Sequence, residues 1–359
     1  MVQSKNTSVL LAFLWKIILL KKNKNSKLST QIKELGERRV IEYMQKKLDP
    51  MPNSVVPFGD DVSAYELENG WLAVLKTDML TKKTDVPKEM SLWQAARKTI
   101  VMNISDFAAK GVKPTAIIVS LGLPRTFSLK DVEDIARGLN AGAREYGAYV
   151  IGGDTGETSD LIIAVSLFGT SEKKDLMLRK GVKIGDIVAV TGLFGKTAAG
   201  LKLLLRGLKV SSKNRKILIN SVCVPKARLI EGLALRASKA VTASIDSSDG
   251  LAWSLHELSK INKVGFLLDN VPIAKEVYQF AKTNRLNPLD LAFYGGEEYE
   301  LVVTIKPELL EKTIKKIKKI GGHLIPIGKA IKEPKILVEN NGNKEIIEPR
   351  GWEHFKSEI

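Results

Sequence analysis

The segment Val241-Thr242-Ala243-Ser244-Ile245-Asp246-Ser247-Ser248-Asp249-Gly250-Leu251 reads as a strand that ends in an acidic turn. A helix over Leu251 to Lys260 follows it, so strand, turn and helix succeed one another within about twenty residues. In that junction Asp246 and Asp249 stand three apart, and both carboxylates can reach one cation. The helix start adds backbone N–H groups suited to phosphate oxygens, and Ser248 adds a hydroxyl. An isolated motif of this form is more often an ordinary N-cap. The metal reading gains its weight from other acidic motifs at the ends of apolar runs: Gly59-Asp60-Asp61, Thr77-Asp78, Asn103-Ile104-Ser105-Asp106 and Gly152-Gly153-Asp154-Thr155. Clustered carboxylates repel one another unless a cation sits among them, and hard oxygen ligands suit magnesium. Magnesium commonly accompanies phosphate, so the chain reads as a phosphate-handling enzyme.

Working outward, Ile32 to Lys46 reads as a helix and Trp71 to Lys76 as a strand running into Thr77-Asp78. Ser91 to Lys110 is helical by its apolar spacing and stops at Gly111. Thr115 to Leu121 is a buried strand. Ser128 and Asp131 resemble a capping box for the next helix, which Gly147 ends. Ala148 to Ile151 delivers Gly152-Gly153-Asp154, where glycines let the backbone approach an anion or simply make a turn. Leu161 to Gly169 closes this half. The second half begins near Glu172, with strands over Asp186 to Thr191, Val241 to Ile245 and Tyr299 to Ile305. Helices span Thr197 to Leu205 and Glu308 to Gly322. Strands and helices alternate, and the sheets are open to parallel or antiparallel layouts.

Three further side chains are candidates. Arg179 can clamp phosphate through two oxygens at once. Glu297, after Gly295-Gly296 and before an apolar strand, can face a site. Trp352 can stack on a flat ring or dock into the core. Two near misses exclude the common kinase folds. Gly192 to Thr197 ends like a P-loop, but the required first glycine falls on Val190. Asp106-Phe107-Ala108 lacks the glycine of the protein-kinase metal motif.

Composition limits the alternatives. At 359 residues the chain accommodates about two domains, and 44% hydrophobic residues supply a core. A net charge of +16 raises nucleic-acid binding. The basic residues are spread along the chain, however, and aromatics are only 6%, which favours a lysine-rich surface that steers anionic substrates. No nucleic acid or membrane is expected as a partner. The lone Cys223 fits a reducing interior and a cytoplasmic location. His256, His323 and His354 lie far apart, which argues against zinc. The apolar run Ser8 to Leu20 is too short to span a bilayer. Residues 1–27 are read as an extension, most simply sequence upstream of the true start, with a peripheral anchor or a partner helix as alternatives.

The ordered series GDD, KTD, NISD, IGGDT, TGLFGKTAAGL, IDSSDGL, GGEEYEL and GWEHF resembles thiamine-monophosphate kinase, of the aminoimidazole ribonucleotide synthetase superfamily, over Leu28 to Phe355. The resemblance implies an α+β / α/β two-domain fold in a homodimer. Residues 28–171 would form an N-terminal domain whose strands join a barrel shared with the partner, and residues 172–359 a C-terminal α/β domain packed against it. The implied reaction is direct transfer of the ATP γ-phosphoryl group to thiamine monophosphate, with several Mg²⁺ ions and no phosphoenzyme. By the same correspondence Asp61, Thr77, Asp78, Asp106, Asp154, Asp246 and Asp249 hold metal. Gly153, Asp154, Arg179 and Ser248 contact ATP, and Glu297 and Trp352 contact the thiamine part. Asp85 is placed with them as a substrate-binding residue, although many members carry a histidine there; Lys76 stands where others have serine, and Lys196 where an acid is common. Competing readings are another ATP-using member of the superfamily and a non-enzymatic basic protein that binds nucleic acid or membrane.

Overall fold

The computed structural model describes residues 30–340 and 342–356. The extension 1–27 and its apolar run therefore lie outside the described residues. The chain divides into two compact units, Met1–Met51 with Glu353–Ile359, and Pro52–Trp352.

In the first unit the single helix expected over Ile32 to Lys46 is two: α1 (Ile32–Leu35) and α2 (Glu37–Gln45). Gly36 between them has φ 75°, which no helix tolerates, and a Cβ there would lie 2.4 Å from the Glu353 carboxylate. The Glu37 N–H donates to the His354 carbonyl at 3.2 Å, tying the C-terminal residues to the start of α2.

The second unit contains both sheets. Its first half runs β1 (Ser63–Glu66), β2 (Trp71–Thr81), α3 (Lys82–Asp85), α4 (Leu92–Lys110), β3 (Lys113–Leu123), α5 (Leu129–Glu145), β4 (Tyr149–Glu157) and β5 (Ile162–Glu172). The strand order is β1-β2-β5-β3-β4, antiparallel except for the parallel pair β3/β4. The second half runs β6 (Ile187–Val190), α6 (Lys196–Arg206), α7 (Ser212–Cys223), α8 (Leu229–Arg236), β7 (Val241–Asp246), α9 (Leu251–Asn262), β8 (Gly265–Leu268), α10 (Lys275–Asn284), α11 (Pro288–Tyr294), β9 (Leu301–Ile305), α12 (Leu310–Lys319), β10 (Ile325–Ile331), β11 (Ile336–Asn340) and β12 (Asn343–Ile346). Its seven strands lie in the order β12-β11-β8-β10-β6-β9-β7.

The capping signals work as the sequence suggests. Ser91 caps α4 and Ser128 caps α5, each with a reciprocal bond to the residue three ahead, and Gly111 ends α4 in the left-handed region. What periodicity did not disclose is that α4 is buried on nearly every side from Ala95 to Lys110. One core cluster explains it. Ile100, Ile104 and Phe107 of α4 share that cluster with Leu72, Val74 and Val165 of the first sheet and with Leu301, Val303 and Ile305 of the second. A helix packed between two sheets has no wet face, so polar residues on it are forced into the interior.

Two strands run further than their apolar stretches. β2 continues through Thr77-Asp78 to Thr81, and β4 continues through Gly152-Gly153-Asp154 to Glu157. These motifs therefore sit within strands rather than at their ends. Side chains alternate along a strand. Leu72, Val74 and Leu80 are buried, which puts Lys76 and Asp78 on the same inward face, toward α4. Thr77 points the other way. Across the sheet Met79 pairs with Ala164, Ala164 with Ser120, and Ser120 with Asp154, so Asp154 shares the outward face with Met79 and Thr77.

A candidate active site in the second unit

Three elements bring three carboxylates together. Asp61 precedes β1, Asp106 lies on the last turn but one of α4, and Asp246 is the final residue of β7. All three are buried, and each offers an oxygen within 4.8 Å of the others. Octahedral magnesium holds its oxygen ligands about 3–4 Å apart, so an all-carboxylate set of this span fits that ion. The donors are hard oxygens with no thiolate or imidazole among them. The Ser247 hydroxyl, next in the chain to Asp246, is buried with no hydrogen-bond partner among the described residues.

Three side-chain cations lie against these carboxylates. Lys110 Nζ, fully buried, lies 2.6 Å from Asp60 and 2.8 Å from Asp61, and donates to the Ser244 carbonyl at 2.8 Å. Arg179 Nε donates to Asp61 at 2.8 Å, a second guanidinium N–H reaches the same oxygen, and Nη1 donates to the Gly59 carbonyl. Lys76 Nζ lies 3.0 Å from Asp106 Oδ2. The Ser105 hydroxyl donates to Asp246 at 2.7 Å.

Burial, and after it the neighbouring Asp61 charge, pushes Asp246 up to about 6. Burial drives Asp106 well above the carboxylate range against the pull of Lys76, with Asp246, Asp61 and Asp78 adding to the rise. Burial opposes the charge on Asp61 too, but Arg179 and then Lys110 outweigh it and carry that group below its ordinary value. Burial therefore favours the protonated form of Asp106 and Asp246 even beside these cations. A divalent ion would bind by displacing protons from ligands of this kind.

The other expected metal residues are distributed differently. Asp78 is half-buried on the inward face, near enough to Lys76 and Asp106 to act on both. Asp249 is half-buried on the loop after β7 and is not part of the three-acid group. Thr77 donates to the Val165 carbonyl on the outward face, and Asp154 is exposed on that same face. At Gly153 a Cβ would lie 1.8 Å from the Val119 carbonyl oxygen of β3, so the packing of the sheet itself requires a glycine there.

A second constellation adjoins the end of β7. Residues 297–300 lie along the loop that follows it. The Glu297 N–H donates to the Ser248 carbonyl at 2.6 Å, the Tyr299 N–H to Ser247 at 3.0 Å, and the Ser247 N–H to Glu300 at 2.8 Å. The Trp352 N–H donates to the Asp249 carbonyl at 3.1 Å. Ser248, Asp249, Glu297 and Trp352 thus converge although they are spread over about a hundred residues. Asp85 joins them through Lys98, which is fully buried, lies 2.5 Å from Glu297 Oε1 and donates to the Asp85 carbonyl at 3.2 Å. The Asp85 carboxylate itself accepts from the Thr81 N–H at 2.7 Å, closing the short turn after β2. The other Glu297 oxygen, Oε2, is buried with no hydrogen-bond partner among the described residues.

Sequence reasoning missed Lys98 and Lys110, the two buried cations of α4. Their signal was faint: a lysine inside an apolar helical run, and a lysine in the final turn, where a base is ordinary. It also missed the buried acids behind Glu297. Glu298, raised by burial to about 7, accepts from the Thr197 N–H at 3.2 Å. Glu300 takes two bonds from Arg228, at 2.8 and 2.6 Å, and a third from the Thr191 hydroxyl.

Residues 59–171 match the family model described as the AIR synthase related protein, N-terminal domain. Thiamine-monophosphate kinase of Nitrosopumilus maritimus is 37% identical over 324 residues, covering 90% of this chain and 99% of that protein. The enzyme of the same name from Pyrococcus horikoshii is 35% identical, with 90% and 98% covered. Among solved structures, AaThiL complexed with AMPPCP and TMP superposes with a TM-score of 0.79 at 28% identity, over 91% of this chain and 99% of that one. With identity above 30% along nine-tenths of its length, the chain belongs to the thiamine-monophosphate kinase family.

Proposed function

We propose that this protein transfers the γ-phosphoryl group of ATP to the phosphate of thiamine monophosphate, giving thiamine diphosphate and ADP, at the buried Asp61–Asp106–Asp246 group. That group carries the proposal: three buried carboxylates this close offer a hard-oxygen site for a divalent cation, and nucleotide transfer supplies the reason for one. Asp61, Asp106 and Asp246 would hold magnesium, with Asp78 beside them. When bound, magnesium would offset the charge of the phosphate oxygens and align donor and acceptor. The acceptor phosphate is already ionised, so no strong general base is required of the chain, in keeping with its few histidines.

The protein's own groups supply position. Arg179, anchored on Asp61, offers its remaining N–H groups to ATP, and Gly153 and Ser248 line the same nucleotide in this reading. Glu297, fixed by Lys98, would meet the cationic thiazolium with the carboxylate oxygen that has no donor among the described residues. Trp352 would stack on the thiamine rings, and Asp85 would act through the Lys98 contact. Thr77, Asp154 and Asp249 complete the proposed metal set from outside the three-acid group.

Two domains are proposed, residues 28–171 and 172–359, because the first sheet ends at Glu172 and the second begins at Ile187. A homodimer is proposed through the outward face of the first sheet. Leu75, Met79, Ile118, Tyr149 and Ile151 are exposed there or on its edge strand β4, at 47%, 51%, 52%, 57% and 70% respectively. A bare apolar sheet face of this kind is covered in most stable proteins. Among the described residues no helix is long and apolar enough to cross a membrane, and a cytoplasmic location is proposed, where ATP is available.

The test is direct. Purified protein with ATP, thiamine monophosphate and Mg²⁺ should yield thiamine diphosphate and ADP in equal amounts, and chelation should abolish both. ADP without thiamine diphosphate would overturn the acceptor assignment.

A further inference from the structure

Lys76 has no part in the function just described, yet it stands inside the acidic cage. It lies on the inward face of β2, between buried Val74 and half-buried Asp78. Its ammonium is 3.0 Å from Asp106 Oδ2, and only 21% of its side chain is exposed. The other two cations are committed elsewhere: Lys110 to Asp60 and Asp61, and Arg179 to Asp61 and Gly59. Lys76 is therefore the cation that serves Asp106. Asp106 Oδ2 cannot hold an ammonium at hydrogen-bond distance and a divalent ion on the same side, because two positive charges about 3–4 Å apart repel strongly in a buried site. A lysine also differs from a metal in kind. It is a fixed charge on a four-carbon stem with three donors, present at every metal concentration.

We propose that Lys76 is a resident cation of the cage, occupying the side of Asp106 Oδ2 that a second divalent ion would otherwise take, so that this protein binds one divalent ion fewer than its carboxylates would hold. The inference rests on the metal reading of the site given above. Lys76 is a positioning residue in this scheme. It fixes the Asp106 carboxylate and sets the cation count of the cage, and it touches no reacting atom.

Counting metal on the full chain tests this. Mn²⁺ is titrated into wild type, Lys76→Ser and Lys76→Arg, alone and with AMPPCP, and free Mn²⁺ is followed by electron paramagnetic resonance. Lys76→Ser, which exchanges the ammonium for an oxygen ligand, should bind one more Mn²⁺ per chain than wild type. Lys76→Arg, which keeps the charge, should match wild type. Equal stoichiometry and affinity in all three would overturn the proposal. If Lys76→Ser does not fold, Lys76→Met keeps the stem without the charge. It should bind Mn²⁺ about tenfold more tightly than wild type, and unchanged affinity would overturn the proposal equally. Thiamine diphosphate formation by wild type is measured alongside. Its absence bears on the acceptor, whereas the Mn²⁺ count bears on Lys76, so the two failures are told apart.

Discussion

The two faces of the first sheet differ more than the sequence motifs that build them. On the inward face Lys76 and Asp78 look toward α4 and a buried network of carboxylates, lysines and an arginine. On the outward face Thr77 and Asp154 lie among exposed Met79, Ile118 and Tyr149. Thr77-Asp78 is one motif as written, yet its two side chains serve opposite faces, because neighbours in a strand always do. A carboxylate on the inward face lies beside buried charged partners. One on the outward face waits for whatever covers it. An acidic motif thus acquires its chemistry from the face it lands on.

Removing a carboxylate from the inward face should give the largest effect. Asp246→Asn is expected to lower kcat/KM for thiamine diphosphate formation by about a thousandfold or more, with circular dichroism unchanged. Near-normal turnover would remove Asp246 from the metal set. Lys110→Met leaves Asp60 and Asp61 buried without their shared cation. Breaking a buried pair in this way costs about 3–5 kcal/mol, and urea unfolding at neutral pH should read that loss.

The pH dependence sharpens the picture of burial behind the site. Glu298 has a folded-state value raised from 4.5 to about 7. The folded protein then holds a proton that the unfolded chain releases, so stability is full below the unfolded value and falls as pH rises toward and through the folded one. The loss is about 3 kcal/mol at most. Glu298→Gln keeps an acceptor for the Thr197 N–H and removes the charge, so its unfolding free energy should decline less than that of wild type between about pH 4 and about pH 8. Parallel declines would show that Glu298 ionises freely.

Smaller effects belong to the outward face and its edge strand. Gly153→Ala pushes a methyl group against the Val119 carbonyl and should destabilise by about 1–3 kcal/mol. Thr77→Ala removes two exposed hydrogen bonds, one given to the Val165 carbonyl and one accepted from the Ser166 hydroxyl, and its effect on thermal unfolding should stay within about 0.5 kcal/mol. A large loss of stability there would mean that the two faces are less distinct than described.

Much of this was legible from residue order. The capping serines of α4 and α5, the strand that ends in Asp246, and the three acids that meet are all local signals repeated along the chain. The resemblance then supplied the roles of Arg179, Glu297 and Trp352 as expectations. Less legible was anything that depended on which side of an element is covered. Asp106 is placed in the acidic set by its motif, but its burial follows only once α4 is known to lie between two sheets. Lys98 and Lys110 read as surface bases for the same reason. Gly153 reads as an anion contact or a plain turn, and the crowding by Val119 on a neighbouring strand is invisible in the sequence. The break at Gly36 escaped because the apolar spacing of Ile32 to Lys46 is continuous across it, and only the dihedral shows the interruption.

The run from Glu297 to Glu300 has no regular secondary structure, yet its four side chains face four environments. Glu297 meets Lys98 on α4, Glu298 meets the start of α6, Tyr299 is packed in the core, and Glu300 meets Arg228. Left-handed backbone at Glu297 and Tyr299, with φ 65° and 53°, makes this splay possible. One consequence concerns length rather than composition. Inserting or deleting a single residue between Gly296 and Leu301 would rotate each later side chain onto the wrong neighbour. Descendants of this chain can therefore exchange letters in that stretch far more readily than they can change the number of them.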